Sequence, residues 1–349
     1  MLVWHPRAVA YSGAMAGGGA VRVLHSFPHK IGADRICGIA WQQVAGATAA
    51  GTDVCVYTGA VHRALPAGID VRTTLARGRF RLPYRVFGPL RSFRLHDAIV
   101  ARDLRRRRFD AEVVHAWPLG ALRTLEVAAE LGIPTVLERP NAHTRFAYAV
   151  VQEECDRLGV RLPPDHEHAF NADVLQREEE EYDVATFLLC PSDFVVKSFV
   201  EAGYPRAKLL RNTYGFDPTA FYPDTAPAPH SGLRVVFVGV AAVRKGLHFA
   251  LDAWLASPAS SSGELLIAGD FVPEYEARLA PQLSHPSVSA LGHRNDVPAL
   301  VRSSDILVLP SLEEGYGLVC AEAMGSGCVP LVSDACTDLC RHMENALVH

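Results

Sequence analysis

Short runs of apolar, often β-branched residues alternate along this chain with longer stretches whose apolar positions recur every third or fourth residue. The first pattern predicts buried strands and the second predicts helices. VRVLHSF (21–27) reads as a first strand, ADRICGIAWQQVAGATAAG as a helix closing on Gly51, and DVCVYTG as a second strand. AEVVHAW (111–117), PTVLERP and FLLCPS follow as strands, with the helices LGALRTLEVAAELG, VLQREEEEYDVA and DFVVKSFVEAG between and after them. The stretch RNTYGFDPTAFYPDTAPAPHSG (211–232) is dense in Pro, Gly and Asp and reads as a linker. The alternation then resumes. LRVVFVG, GELLIAG, a short strand at 288–291, DILVLPS and CVPLVSD are strands; GLHFALDAWLA, PALVRSS and a segment opening near Gly317 are helices.

Strands that are apolar throughout, separated by helices, belong to parallel sheets covered on both faces. The expectation is therefore an α/β protein of two doubly wound, Rossmann-like domains, at 21–212 and 213–349, which suits a length of 349 residues. Residues 1–20, rich in Ala and Gly with an early Arg7, read as a disordered leader rather than a signal peptide. In sheets of this kind ligands lie beyond the carboxyl ends of the strands, so a motif counts only if it follows a strand.

Composition narrows the class. Hydrophobic residues at 49% and charged residues at 21% suit a globular protein in water, and a net charge of −4 gives no drive towards nucleic acid. The longest apolar run, about nine residues around VVFVGVAAV, is far below the ~20 that span a bilayer. Eight cysteines without a framework favour reduced thiols in a cytoplasm. Cys336, Cys340 and His342 lack a fourth ligand at useful spacing, so no metal is expected there. From Arg72 to Arg108 twelve arginines face two acids, with Phe80, Tyr84, Phe87, Leu90, Phe93 and Ile99 interleaved. This segment reads as solvated helices on the first domain; peripheral contact with an anionic membrane is the alternative.

Three loops of the second half follow strands. VGVAAVRKG turns at Gly239 and sets Arg244 and Lys245 at a helix start, a combination suited to a diphosphate. ALGHRNDVPAL offers Gly292 for close approach of a flat ligand, and the backbone of His293 and Arg294 for a base. SLEEGYGLVCAEAMGSG places Glu314 before Gly315, Tyr316 and Gly317, whose helix opens with the free amides of Gly317, Leu318 and Val319 and carries Glu322 about one turn in. Ionised carboxylates accept only, so they read hydroxyl pairs well. Two of them flanking a helix start suit the two sugars of a nucleotide-sugar, although two solvated surface acids would look the same alone.

PSLEEGYGLVCAEAMGSGCVPLVSD resembles the Glu-x7-Glu signature of the large family of retaining glycosyltransferases with the GT-B fold. FVGVAAVRKG and GHRNDVPALVRSSDILVLPS are similar to its other donor-site blocks, in the same order, and the first half is similar to its acceptor domain. The resemblance implies Glu322 on the ribose, Glu314 on the donor sugar, and Arg244 with Lys245 on the diphosphate. His143, in NAHTR, would stand near the transferred sugar, and Gly32, the single glycine of HKIGADR, near the phosphates. It implies a UDP- or GDP-linked donor, a glycan, lipid-linked or small-molecule acceptor, and a role such as polysaccharide biosynthesis. Metal-independent hexosyl transfer without a cofactor would follow, in the cytoplasm or at the inner membrane face; no Asp-x-Asp signals a metal clamp. Alternatives are a phosphorylase or synthase on the same fold, or a non-catalytic nucleotide-sugar-binding protein. The resemblance also implies that members continue past the point matched by ENALVH, so the chain is expected to be cut short after His349.

Overall fold

The computed structural model describes residues 20–33, 35–77, 80–81, 88–224 and 230–349. The leader read at 1–20 falls almost wholly outside these residues, as do Tyr84 and Phe87 of the basic segment. The first sheet contains β1 (Arg22–Ile31), β2 (Asp53–Val61), β3 (Asp70–Thr73), β6 (Val113–Ala116), β7 (Thr135–Glu138), β8 (Phe187–Cys190) and β9 (Leu209–Arg211). Its order is β3-β2-β1-β6-β7-β8-β9, with every pairing parallel. A hairpin of β4 (Ala76–Arg77) and β5 (Phe80–Arg81) stands apart. The second sheet contains β10 (Arg234–Val238), β11 (Glu264–Ala268), β12 (Val288–Gly292), β13 (Ile306–Leu309), β14 (Val329–Val332) and β15 (Leu347–Val348). Its order is β12-β11-β10-β13-β14-β15, again all parallel. Each sheet reverses direction once, at β1/β6 and at β10/β13. Those reversals open the crevices where such sheets bind ligands.

The helices of the first half are α1 (Ile36–Ala49), α2 (Pro89–Arg105), α3 (Leu122–Glu130), α4 (Thr144–Leu158), α5 (Ala172–Val184) and α6 (Asp193–Glu201). Those of the second are α7 (Leu247–Ala256), α8 (Pro273–Leu283), α9 (Val297–Arg302) and α10 (Leu318–Gly325). No helix among the described residues is long and apolar enough to cross a membrane.

Of the arginine-rich segment, read as solvated helices, Arg72 lies in β3 and Ala76–Arg77 and Phe80–Arg81 in the β4–β5 hairpin, while Pro89–Arg105 form α2, whose inward stripe of Phe93, Val100 and Leu104 is buried. Its apolar residues are thus largely spent on the core. What α2 offers an anionic surface is charge, with only Leu95 as an exposed large apolar side chain.

Helix α4, which the sequence pattern did not signal to us, repays a closer reading. Ala147, Tyr148, Val151, Glu154 and Cys155 recur at helical spacing and are buried, and Gly159 ends the helix in the left-handed region at φ 68°. Val151, Cys155 and Val160 pack into the core of the second half, so this helix joins the two sheets.

α3 begins without a side-chain cap of its own. Two buried acids from other helices supply the acceptors instead. Asp97 of α2 takes the amides of Arg123 (3.0 Å) and Thr124 (2.9 Å), and Glu181 of α5 takes those of Leu119 (2.7 Å), Ala121 (2.9 Å) and Leu122 (3.1 Å). Arg177 links the two carboxylates, at 2.5 Å from Asp97 and 3.3 Å from Glu181. Asp97→Ala leaves two amides without their acceptor and Arg177 with Glu181 alone, which costs about 3–5 kcal/mol by the measure of broken buried ion pairs. The check is urea denaturation, in which the variant should unfold at markedly lower denaturant with an unchanged slope.

Candidate functional site

The site is built where the second sheet reverses. β10 ends in Gly239, held at φ 146°, and the chain runs on to a 3-10 turn, Val243–Lys245. β13 ends at Leu309, and residues 310–317 lead into α10. The two loops are pinned together. The amide of Leu312 donates to the carbonyl of Arg244 at 2.8 Å, and a Cβ at Gly246 would lie 1.9 Å from the carbonyl oxygen of Pro310. Gly317, at φ 63°, caps α10 by its backbone alone, leaving the first amides of the helix directed away from the helix body.

Arg244, Lys245 and Glu314 meet here, as the sequence anticipated, but the cations are already paired. Lys245 Nζ donates to Glu314 Oε1, Arg244 lies 3.4 Å from the same oxygen, and Ser311 Oγ donates to it at 3.1 Å. Burial pushes the Glu314 carboxyl up, yet Arg244 and Lys245 more than offset this and hold it below its usual range. Glu313 was not anticipated. It is fully buried and pairs with Arg244 at 3.3 Å and with His168 at 3.4 Å, and it accepts the amide of Ala142 at 2.9 Å. No spacing rule marks Glu313, since it stands one residue outside the signature.

Glu322 behaves in the opposite way. On α10, one turn from the helix start, its side chain has no hydrogen bond or ion pair among the described residues, and burial pushes its carboxyl up to about 7. An acid with no compensating cation is suited to accept hydroxyl donors from a ligand. Leu318 and Tyr316 turn towards the first half, where they pack with Phe27, Trp117 and Tyr214. Val319 is buried in the second-half core.

The other anticipated residues are spread more widely. Gly292 closes β12 at φ 64° and its carbonyl accepts the amide of Gly269 at 2.8 Å. His293 and Arg294 are exposed, and Arg294 is engaged by Asp296 at 2.5 Å. Gly32, at φ 79°, lies in the turn after β1, where a Cβ would meet Arg63 Cβ at 2.5 Å. His143 is buried and caps α4, its Nδ1 accepting the amide of Arg145 at 3.2 Å. Its ring lies among Tyr182, Phe199 and Tyr204, and burial followed by Arg139 and Arg145 lowers its pKa to about 4. The imidazole therefore faces the interior of the first half as a neutral group.

A buried polar chain in the first half also escaped the sequence reading. Glu138, at the end of β7, accepts from Gln43 (2.9 Å), His115 (3.0 Å) and Tyr214 (2.5 Å), and His115 contacts His25 at 3.2 Å. Tyr214 stacks edge-on against Tyr316. Among the described residues no group of three or more His, Cys, Asp or Glu is placed to hold a metal ion.

Residues 232–349 match the family model described as Glycosyl transferases group 1. No curated protein matches the sequence significantly. Among solved structures, HepE of Anabaena in complex with UDP is 16% identical with a TM-score of 0.59, over 94% of this chain and 85% of that one. Sucrose-phosphate synthase from Thermosynechococcus elongatus is 19% identical with a TM-score of 0.63, over 94% and 85%. Starch synthase IV from Arabidopsis thaliana, bound to ADP and acarbose, is 13% identical with a TM-score of 0.63, over 93% and 86%. At these identities the likeness establishes the fold, which is GT-B.

The state of Glu322 gives a pH test. The unfolded carboxyl ionises near 4.5 and the folded one near 7, so the unfolded chain sheds its proton first as pH rises through that window. This group therefore favours folding below the window and loses that contribution across it. Relative to the parent, Glu322→Gln should gain melting temperature as pH rises from 4.5 to 7, and the difference should level off above 7. Parallel thermal melts of the two proteins across this range check it; a constant difference would show that Glu322 titrates normally.

Proposed function

We propose that this chain is a retaining glycosyltransferase that moves a hexose from a UDP- or GDP-linked sugar to a glycan, lipid-linked or small-molecule acceptor. The observation that carries the reading is the meeting of unlike groups at the reversal of the second sheet. A helix start and two cations lie beside one acid held in ion pairs, Glu314, and near another left unpaired, Glu322. The match of residues 232–349 to Glycosyl transferases group 1 supports the same assignment.

In this reading the diphosphate binds at Arg244, Lys245 and the first amides of α10, replacing the carboxylate of Glu314 at Lys245. Glu314, so released, accepts the hydroxyls of the donor sugar. Glu322 accepts the ribose hydroxyls. Positive charge and oriented amides stabilise the diphosphate as it departs, and the departing oxygen takes the acceptor proton on the same face. No side chain is then required as a covalent nucleophile. His143 contributes by position, through the cap of α4 and the loop before it.

The test begins with a panel of nucleotide-sugars scored by thermal stabilisation, followed by a donor hydrolysis assay on those that bind. Glu322→Ala should weaken nucleoside diphosphate binding by about 1.5–3 kcal/mol, the loss of a charge-assisted hydrogen-bond acceptor. Glu314→Ala should spare the free nucleoside diphosphate, since its loss also frees Lys245, and should impair the sugar-bearing donor. Equal losses of both ligands in both variants, read by calorimetry, overturn the division of roles.

Charge from Arg244, Lys245 and the helix start also makes a divalent ion dispensable in this scheme. Turnover should survive EDTA. Complete loss restored by Mg2+ or Mn2+ would contradict the site as drawn.

A further inference from the structure

Glu313 makes contacts that hexosyl transfer as drawn above does not use. One carboxylate oxygen accepts the amide of Ala142, in the loop after β7, at 2.9 Å. The other lies 3.4 Å from His168 Nε2, in the loop between α4 and α5, and 3.3 Å from Arg244. The backbone carbonyl of Glu313 also accepts from Arg244, at 2.8 Å. Ala142 and His168 belong to the first half, whereas Arg244 belongs to the second.

A fully buried carboxylate is costly unless its oxygens are all engaged. Burial pushes Glu313 up, yet His168, Arg244 and the Ala142 amide together hold it at about 2. An apolar side chain would fill the same space at less cost. What the charge adds is a fixed register between the loop after β7 and the loop before α10.

The guanidinium of Arg244 is divided between Glu313 and Glu314, at 3.3 and 3.4 Å. An incoming diphosphate must draw on the same cation. We infer that Glu313 is a positioning residue that latches the two halves through Ala142 and, by competing for Arg244, weakens the hold on the nucleoside diphosphate and so speeds its release. This rests on the donor site proposed above; the latch itself does not.

Two variants separate the two jobs. Glu313→Gln keeps an oxygen for the Ala142 amide and removes the charge. It should bind UDP or GDP about tenfold more tightly, the scale of one charge-assisted hydrogen bond returned to the ligand, while kcat falls because product leaves more slowly. Glu313→Asp keeps the charge and withdraws it by one methylene. Its Ala142 amide should exchange with solvent about tenfold faster, with nucleotide affinity between those of the parent and Glu313→Gln, because the charge also draws back from Arg244.

The experiment is calorimetry with UDP and GDP, steady-state kinetics and amide hydrogen exchange on the full chain and both variants. Unchanged or weaker nucleotide binding in Glu313→Gln overturns the competition with Arg244. Unchanged Ala142 exchange in Glu313→Asp overturns the latch. If the parent binds neither nucleotide, the donor-site reading fails and the competition with it, and the exchange result alone decides the latch.

Discussion

No side chain fits at position 315, because a Cβ there would stand 1.5 Å from the carbonyl oxygen of Pro140. This approach of two backbones brings the loop before α10 onto the loop after β7. Its neighbours then have little freedom. Glu313 reaches Ala142, while Tyr316 and Leu318 enter the cluster of Phe27, Trp117 and Tyr214. The turn that starts α10 is thus also the contact between the halves. If the donor binds there as proposed, a change in these residues would alter its binding and the contact between the halves together.

The contact is buried and charged, which sets conditions on its stability. Arg244, Lys245, Glu313 and Glu314 balance in sign, and their buried atoms are shared among few partners. Such a network holds only when it is fully satisfied, since one missing partner leaves a bare charge in a poor dielectric. Glu322 is outside this accounting and has no cation of its own among the described residues. The difference between the two signature acids comes from their surroundings, since the side chains are the same. A glutamate kept in ion pairs is exchangeable when a stronger anion arrives, whereas one kept near neutrality by burial gains from any donor that reaches it.

Most of the sheet framework was legible because parallel strands buried on both faces must be apolar throughout, as in VVFV of β10 and ILVL of β13. The omissions have physical causes. β3, with sequence DVRT, is an edge strand largely open to solvent, so it carries no apolar signal. α8 contains Pro281 near its end, which reads as a breaker because it removes an intrahelical hydrogen bond. α4 has the periodicity of a helix, but the glutamates and arginines among its apolar positions obscured a stripe that serves two cores. At the candidate site, Arg244, Lys245 and Glu314 were singled out because each follows a strand. Their mutual pairing was not legible, since it depends on how closely two loops pack. Glu313, His168 and the chain from Glu138 to Tyr214 depend on contacts across up to 171 residues, which no local pattern encodes.

α4 decides what kind of motion this arrangement permits. Its start is fixed to the first half by the His143 cap and by Thr144, which bonds Glu178 and Tyr182. Its far end lies in the second-half core through Val151, Cys155 and Val160, with Glu154 2.7 Å from His248 and the Arg161 amide 2.9 Å from Glu274. Swinging the halves apart about residues 211–232 would strip apolar surface from that end, at roughly 25 cal/mol for each Å² exposed. The contacts around Gly315 are mixed, with the polar link from the Ala142 amide to Glu313 beside the apolar packing of Tyr316 and Leu318 on Phe27, Trp117 and Tyr214. A rotation pivoting on α4 would retain the core contacts at the pivot, but lifting the turn before α10 from Pro140 would expose Tyr316 and Leu318 as well, so both contacts oppose opening. The loops proposed above to hold the donor lie beside this contact, so access to Arg244 and Glu322 would be coupled to how firmly the two halves hold there.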